Sequence, residues 1–568
     1  MQLKAIELKG FQVFDQLTRI DFGDITLFFG PNSAGKSAIT DALMLISELT
    51  KPSQDFSNAK VAELLDRWAR RNQVANAEQR EVFIGVETTF DLLEDCPFNY
   101  NFRGTLEDRV ADIDEELWKS FRNSTIRIEA SLMFYDWETL HDWSLLSFYV
   151  YIDSHPILSI QIDEDFGNEN PELSRFHPNY ANGENWTCRL FEYGPHQSEI
   201  AEIFRDSYWI SKDDSYHPGY PDENRIELNG KSYRFDEIEV EEMSSSLEHL
   251  DLLGAMFTHP VWASTEVNAF SDHWRHLFGW IFPLPALEPT VINGNRSFDP
   301  ELMRNINVTS STKQGFDSMN WINQLARMGL ASRILEMDLS QKFRDLIPEH
   351  KYDRLGAFGY EHTLQTRADS FTKLNTMLET TMFTEKMYQI EPDLELSIKV
   401  NSETINAQET PAFSGSAVIN LKLKDGQGDL VAFEDVGNGI PFCMPWLVAL
   451  TGHRITWIHQ PELHLHPALQ SRIGDILIQS IERNRQVIVE THSEHLILRL
   501  LRRIKQGQKQ NNPFPLRSDQ LEVYYFDPSP RDGTRVTRLP VTPAGDFYLP
   551  WPKGFFRDRD EDLFYEGD

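Results

Sequence analysis

The chain has 568 residues, 40% hydrophobic and 12% aromatic, which is too long for one core and apolar enough to bury two or three. Its 54 basic residues face 88 acidic ones, and a net charge of −34 resists non-specific wrapping of DNA, leaving nucleic-acid contact to a local basic patch or a partner. Cys96, Cys188 and Cys443 are isolated thiols and no apolar run approaches the roughly 18 residues of a membrane helix, so a soluble, cytoplasmic chain without membrane contact is expected.

The N-terminus alternates apolar and polar residues like a strand, where a signal peptide would be continuously apolar. Residues 2–29 read as two strands around a turn, with Leu3, Ile6 and Leu8 before Gly10 and a continuous apolar run from Ile25 to Phe29 after it. That run enters Gly30-Pro31-Asn32-Ser33-Ala34-Gly35-Lys36-Ser37, which fills every fixed position of G-x-x-x-x-G-K-[ST], and an apolar helical stretch to about Glu48 leaves it. The chemistry explains the spacing. Gly30 and Gly35 let backbone N–H groups close around phosphate oxygens, Asn32 lies on the same loop, Lys36 reaches the terminal phosphates, and Ser37 can ligate Mg²⁺ at the helix start. A triphosphate with Mg²⁺ fits there.

Residues 61–71 have helical spacing and end in a small basic cluster. From 81 to about 162 the period changes to two, predicting a mostly antiparallel sheet that completes an N-terminal lobe. Residues 163–240 are acidic and aromatic, with strand candidates at Arg225–Leu228 and 233–240 and no assignable chemistry. Helical patterns dominate from 244 to about 390, at 247–257, 319–342 and 371–388, broken by a Pro/Asn-rich stretch over 283–307. Strands return at 394–400, 417–424 and 430–433.

Three blocks follow closely. Glu434-Asp435-Val436-Gly437-Asn438-Gly439-Ile440-Pro441 is a glycine-bearing loop entering a helix over 444–451. A strand over 454–458 leads into His459-Gln460-Pro461-Glu462-Leu463-His464-Leu465-His466-Pro467. A second strand, Gln486–Glu490, ends in Thr491-His492-Ser493-Glu494-His495. The division expected from these patterns is an N-terminal lobe at 1–162, an insertion at 163–393, and a C-terminal lobe with an acidic tail at 394–568; the resemblance below makes the two lobes those of an ATPase.

In this order the blocks resemble the ABC-type ATPase heads of the RecF/SMC superfamily, and within it the OLD-like branch of bacterial anti-phage ATPases. The resemblance covers 1–50 and about 394–500 well. It implies an α/β fold of the ABC P-loop type with a mixed central sheet, an antiparallel β lobe and a large helical insertion. It also implies triphosphate binding by Gly30, Gly35, Lys36 and Ser37, capping of the γ-phosphate from the opposite protomer by Gly437, Asn438 and Gly439, and switch sensing by His492. Such heads bind two ATP molecules between head-to-tail protomers, so a homodimer or higher assembly is implied. The final Trp551-Pro552-Lys553-Gly554-Phe555-Phe556 resembles the closing segment of many such defence ATPases.

The departures from the pattern are as informative. Where the family's Walker B strand delivers two acids, this chain has His459 and Gln460. A neutral amide cannot take a proton, though it can orient a water. Glu462, three positions past His459 and beyond a proline, is the nearest replacement carboxylate. Pro441 and Phe442 stand where the family has Ser and Gln. Tight ATP binding with slow hydrolysis is the resulting expectation.

A competing reading gathers His464, His466, His492, His495 and Glu462 into a Zn²⁺ or Mn²⁺ phosphoesterase site. Against it, the two-histidine segment belongs to the ATPase pattern itself. The stretch after Thr491 is too short for the Toprim nuclease that relatives carry, so effector chemistry is expected on a partner protein, such as a nuclease. The basic run from Arg499 to Lys509 offers either a nucleic-acid contact or an amphipathic helix with Leu496, Leu500 and Ile504 inward. Three functions stay open: a nucleotide-gated regulatory subunit of a defence complex, an active DNA-dependent ATPase of repair or defence, and an interaction scaffold with a structural ATP site.

Overall fold

The computed structural model describes residues 2–32, 34–49, 80–89, 125–137, 140–162, 186–191, 225–228, 231–238, 290–293, 303–304, 306–307, 320–336, 357–400, 413–437, 439–481, 485–507, 512–529 and 533–552. The expected helices at 61–71 and 247–257, together with Ser33, Asn438 and residues 553–556, lie outside these.

In chain order the N-terminal part contributes β1 (Gln2–Lys9), β2 (Thr18–Asp21), β3 (Ile25–Phe29), α1 (Lys36–Leu49), β4 (Arg80–Thr89), β5 (Thr125–Trp137), β6 (Leu140–Ile152), β7 (His155–Ile162), β8 (Trp186–Phe191), β9 (Arg225–Leu228) and β10 (Lys231–Ile238). Next come β11 (Thr290–Ile292), β12 (Ile306–Asn307), α2 (Asn320–Glu336), α3 (Ala357–Met377), β13 (Gln389–Val400), β14 (Phe413–Lys424) and β15 (Leu430–Val431). The last group is α4 (Gly439–Gly452), β16 (Ile455–His459), α5 (Pro467–Ser480), β17 (Gln486–Glu490), α6 (Glu494–Gln506), β18 (Leu521–Ser529) and β19 (Gly533–Arg538).

Period-two patterning yields a nine-stranded antiparallel sheet ordered β2-β1-β4-β5-β6-β7-β8-β10-β9. Residues 2–29, expected as two strands, form three, because the polar Thr18–Asp21 segment pairs with β1 before the chain turns into β3. The sheet also runs on past 162, through β8, β10 and β9. Arg127 on β5 reaches Glu7, Glu87 and Glu129 at 2.6 Å each, while Arg19 binds Glu7 and Glu87 from the edge strand β2.

The continuous apolar runs behave differently. They are buried on both faces and form the parallel part of a six-stranded mixed sheet ordered β11-β16-β17-β3-β18-β19, antiparallel only at β19. Ile25, Leu27, Phe29, Val487, Val489 and Ile458 face a core shared with α2 to α6. Phe28 turns to the opposite face, 5.4 Å from the Trp457 ring and 5.3 Å from that of Phe526. Full burial of each such side chain contributes roughly 2 kcal/mol. Besides β2, four described strands were not apparent from local pattern: β8 continues the antiparallel sheet, β19 pairs with β18, β11, inside the Pro/Asn-rich stretch, pairs in parallel with β16, and β12 pairs with β14 in a smaller sheet.

Gln486 ties the two large sheets together. Its side-chain amide accepts from Leu3 N–H at 2.7 Å and donates to the Leu3 carbonyl at 2.8 Å, acting as a backbone unit inserted between them. The fold is mixed α/β, with a mixed central sheet, an antiparallel lobe and helices between their segments, as the resemblance implied. No described helix is long and apolar enough to cross a membrane.

Candidate functional site at the C-terminal ends of the central strands

The phosphate loop leaves β3 at Gly30, whose φ of +139° brings its Cα against β18; a Cβ there would lie 2.3 Å from the Phe526 carbonyl oxygen. Gly35, at φ +87°, is pressed on Val13, and a Cβ would meet Val13 Cγ2 at 2.1 Å. Both positions therefore require glycine, for conformation and for space. Thr534 of β19 donates from its hydroxyl to the Ala34 carbonyl at 2.9 Å and from its N–H to the Val13 carbonyl at 2.8 Å, so the C-terminal hairpin braces the loop. Behind the loop, Gln12 donates to Asp41 of α1 at 2.7 Å.

Lys36 is buried, and its ammonium donates to the Gly30 and Pro31 carbonyls at 3.0 and 2.8 Å. The charge is thus held across the mouth of the loop. Burial lowers the Lys36 pKa from its ordinary value, and the negative charges of Glu490 and Glu462 oppose that shift. Both carboxylates therefore act on Lys36. Asn32 is exposed on the loop, and Ser37 is half-buried at the second residue of α1 with no hydrogen-bond partner among the described residues.

β16 ends at His459, and Gln460 follows at φ +48°, its N–H donating to the Glu490 carbonyl at 2.7 Å. His464 is also left-handed, at φ +62°, with its ring 4.2 Å from that of Phe442 at the start of α4. Two non-glycine residues in this region within five positions mark a backbone held by its surroundings, as functional loops often are. His466 caps α5, its Nδ1 accepting from Ala468 N–H, and Pro467 occupies the first turn.

Glu462 is buried, and both its oxygens are engaged by the segment after β17: Oε2 accepts from Thr491 Oγ1 at 2.9 Å and Oε1 from His492 N–H at 2.7 Å. The side chain clamps the Thr491–His492 segment. His492 itself has a buried Nε2 with no partner among the described residues. Burial and the Lys36 charge lower its pKa, with Glu490 pulling the other way. Lys36, Glu490 and His492 therefore share one electrostatic neighbourhood.

The structure thus gathers Lys36, His459, Gln460, Glu462 and His492 around the C-terminal edge of the parallel strands, where such sheets bind ligands. Gly437 and Gly439 lie before and at the start of α4; a Cβ on Gly437 would meet nothing within 4 Å, and one on Gly439 would approach Leu465 at 3.2 Å. Glu490, Thr534 and Gln12 were missed by sequence reasoning. Glu490 alone left a signal, an acid closing a wholly buried strand two residues before His492.

Among the described residues no three His, Cys, Asp or Glu side chains gather as a metal cage would, so the phosphoesterase reading gains no support. A Mg²⁺ carried in with ATP needs less from the protein, because it keeps most of its waters and takes phosphate oxygens. The unengaged Ser37 hydroxyl beside the loop fits that requirement. The basic run is helical, as one reading had it: Leu496, Leu500 and Ile504 are buried on α6. Its charges are not all solvated, since Arg503 is buried against Asp475 at 2.7 and 2.9 Å.

Comparison with known proteins places ATPase sequence on both sides of this site. A family described as "AAA ATPase domain" matches residues 1–219, and one described as "AAA domain, putative AbiEii toxin, Type IV TA system" matches 364–499. A search of curated proteins gives no match. Among solved structures, an SMC head bound to the C-winged-helix domain of ScpA is 10% identical, covers 96% of this chain and 99% of its own, and has a TM-score of 0.37. The SMC head domain from Thermotoga maritima is 10% identical at 95% and 100% coverage, and one with a coiled coil and joint from Pyrococcus yayanosii is 12% identical at 95% and 97%; both have TM-scores of 0.32. The two matched segments carry β3 with its phosphate loop and β16 with β17, so ATPase-type sequence from both parts of the chain builds the one site.

Proposed function

We propose that the protein is an ATP-binding, slowly hydrolysing P-loop switch, in which bound ATP stabilises a head-to-tail dimer that controls an effector. One observation carries this reading: every group needed to hold phosphates is in place from Gly30 to Ser37, while the end of β16, facing the same site, carries His459 and Gln460. Glu462 does not stand in for the missing acids, because both its oxygens are committed to Thr491 and His492. With neither a general base nor a free acid on that strand, ATP acts as a ligand more than as a fuel.

The dimer reading draws on the loop from Gly437 to Gly439, whose exposed Gly437 leaves room for a partner's γ-phosphate. Within the OLD-like branch of the RecF/SMC superfamily, which the motif order resembles, the effector would be a partner nuclease of an anti-phage complex. Residues 1–162 and 394–568 would then be the two ATPase lobes, and 163–393 the system-specific insertion.

Steady-state phosphate release at saturating Mg·ATP tests the enzymatic half. Rates well below about 1 s⁻¹ are expected, and a rate above that figure would overturn the slow-turnover reading. Mass measurement in solution tests the other half, with a shift from monomer to dimer expected on adding ATP.

A further inference from the structure

β16 and β17 are parallel neighbours, and their register sets His459 directly beside Glu490. The side chains meet: His459 Nδ1 lies 3.0 Å from Glu490 Oε1, and Trp457 Nε1 donates to the same oxygen at 3.1 Å. Glu490 Oε2 has no partner among the described residues, although the residue is only 6% exposed. A buried carboxylate is costly unless it is compensated. Here His459 and Trp457 engage one oxygen, the Lys36 charge also acts on the group, and the second oxygen makes no hydrogen bond among the described residues. Glu490 is also one strand closer to the phosphate loop than His459, since β17 pairs directly with β3 and Glu490 stands level with Phe28, two residues before Gly30.

We propose that Glu490 supplies the Mg²⁺-side carboxylate that β16 lacks, transposed one strand toward the phosphate loop and held there by His459 and Trp457. His459 is then a positioning residue: with Trp457 it fixes Oε1, so that Oε2 is presented to the water shell of the Mg²⁺ that accompanies ATP. Mg²⁺ is held through few direct protein ligands, and a carboxylate reached through water needs no contact closer than one water's width. The field of Glu490 on both Lys36 and His492 agrees with a position between the phosphate-binding lysine and the switch. Glu490 would thus restore the metal side of the site, while Gln460 leaves the water-activating side without an acid. The inference rests on the ATP-binding reading above and adds the residue that couples the nucleotide to Mg²⁺.

Equilibrium binding of a fluorescent ATP analogue to the full chain, in Mg²⁺ and in EDTA, tests it without reference to turnover. The wild type should bind about tenfold more tightly in Mg²⁺. Glu490→Gln, nearly isosteric, should bind as the wild type does in EDTA and lose the Mg²⁺ increment. The exchange variant His459→Asp with Glu490→His, which returns the acid to β16, should regain most of it; thermal melting confirms that each variant is folded. A Glu490→Gln protein that keeps the increment, or a folded exchange variant that fails to regain it, overturns the proposal and makes Glu490 a structural counter-charge. So does a wild type that binds ATP equally in both buffers. No ATP binding in either buffer would overturn the nucleotide reading itself, and this inference with it.

Discussion

The phosphate loop and the ends of β16 and β17 face the same site but are built on opposite principles. The loop is a contiguous motif whose glycines are enforced by contact: Gly30 against Phe526 and Gly35 against Val13 leave no room for any other residue. The strand ends are a junction between distant segments, where the expected acids are replaced and the remaining polar groups are shared out. Glu462 holds Thr491 and His492, His459 and Trp457 hold Glu490, and the Gln460 backbone holds the end of β17. A site can thus keep its grip on a ligand while its chemistry is rearranged, because grip depends on local backbone and chemistry on which side chains meet.

The largest effect that would separate the two regions comes from the grip. Lys36→Ala should weaken ATP binding by about 1000-fold, the loss of two charge-assisted contacts, and abolish effector control with it. Control retained in that variant would show the grip to be dispensable. Next is the chemistry: Gln460→Glu restores a proton acceptor in a side chain of nearly the same shape, and phosphate release should rise about 100-fold with little change in ATP affinity. An unchanged rate would mean that the loop's left-handed geometry, and not the missing acid, limits turnover.

Breaking the junction should cost stability before it costs binding. Glu462→Ala leaves the Thr491 hydroxyl and His492 N–H without their acceptor, and should destabilise the protein by ~2 kcal/mol in chemical denaturation while Lys36 still binds nucleotide. The smallest effect concerns the proton on His492. Its pKa is lowered from 6.5 by burial and by Lys36, so the folded state binds that proton less readily than the unfolded chain. The stability tied to the neutral ring is full above about 6.5 and is lost as pH falls through the lowered pKa. Histidine-selective NMR titration should find His492 below the ordinary value; Glu490→Gln should lower it further and Lys36→Ala should raise it. No movement in either variant would separate the switch from both groups.

Much of this fold was legible because its signals are local. The helix after the phosphate loop, the antiparallel strands between 80 and 162, and the buried strands at 25–29 and 486–490 each announce themselves by a period or an unbroken apolar run. The amphipathic face of α6 was equally plain, but the partner of Arg503 was not, since Asp475 lies on another helix. β11 escaped notice because three residues are too few to show a period, and only the open edge of β16 makes Thr290–Ile292 a strand.

By itself the sequence determined the phosphate loop, because backbone N–H groups, glycine conformation and one lysine are all supplied within eight consecutive residues. It also showed that the acids expected after β16 are absent. Only the tertiary structure decided what replaces them. Strand order in a parallel sheet is set by crossovers and is not written in periodicity, so nothing local says that the end of one strand at His459 meets the end of another at Glu490. The same holds for Thr534, far along the chain from the Ala34 carbonyl that it binds. A buried charge finds its counterpart through space, and that pairing turns two unremarkable strand ends into one site.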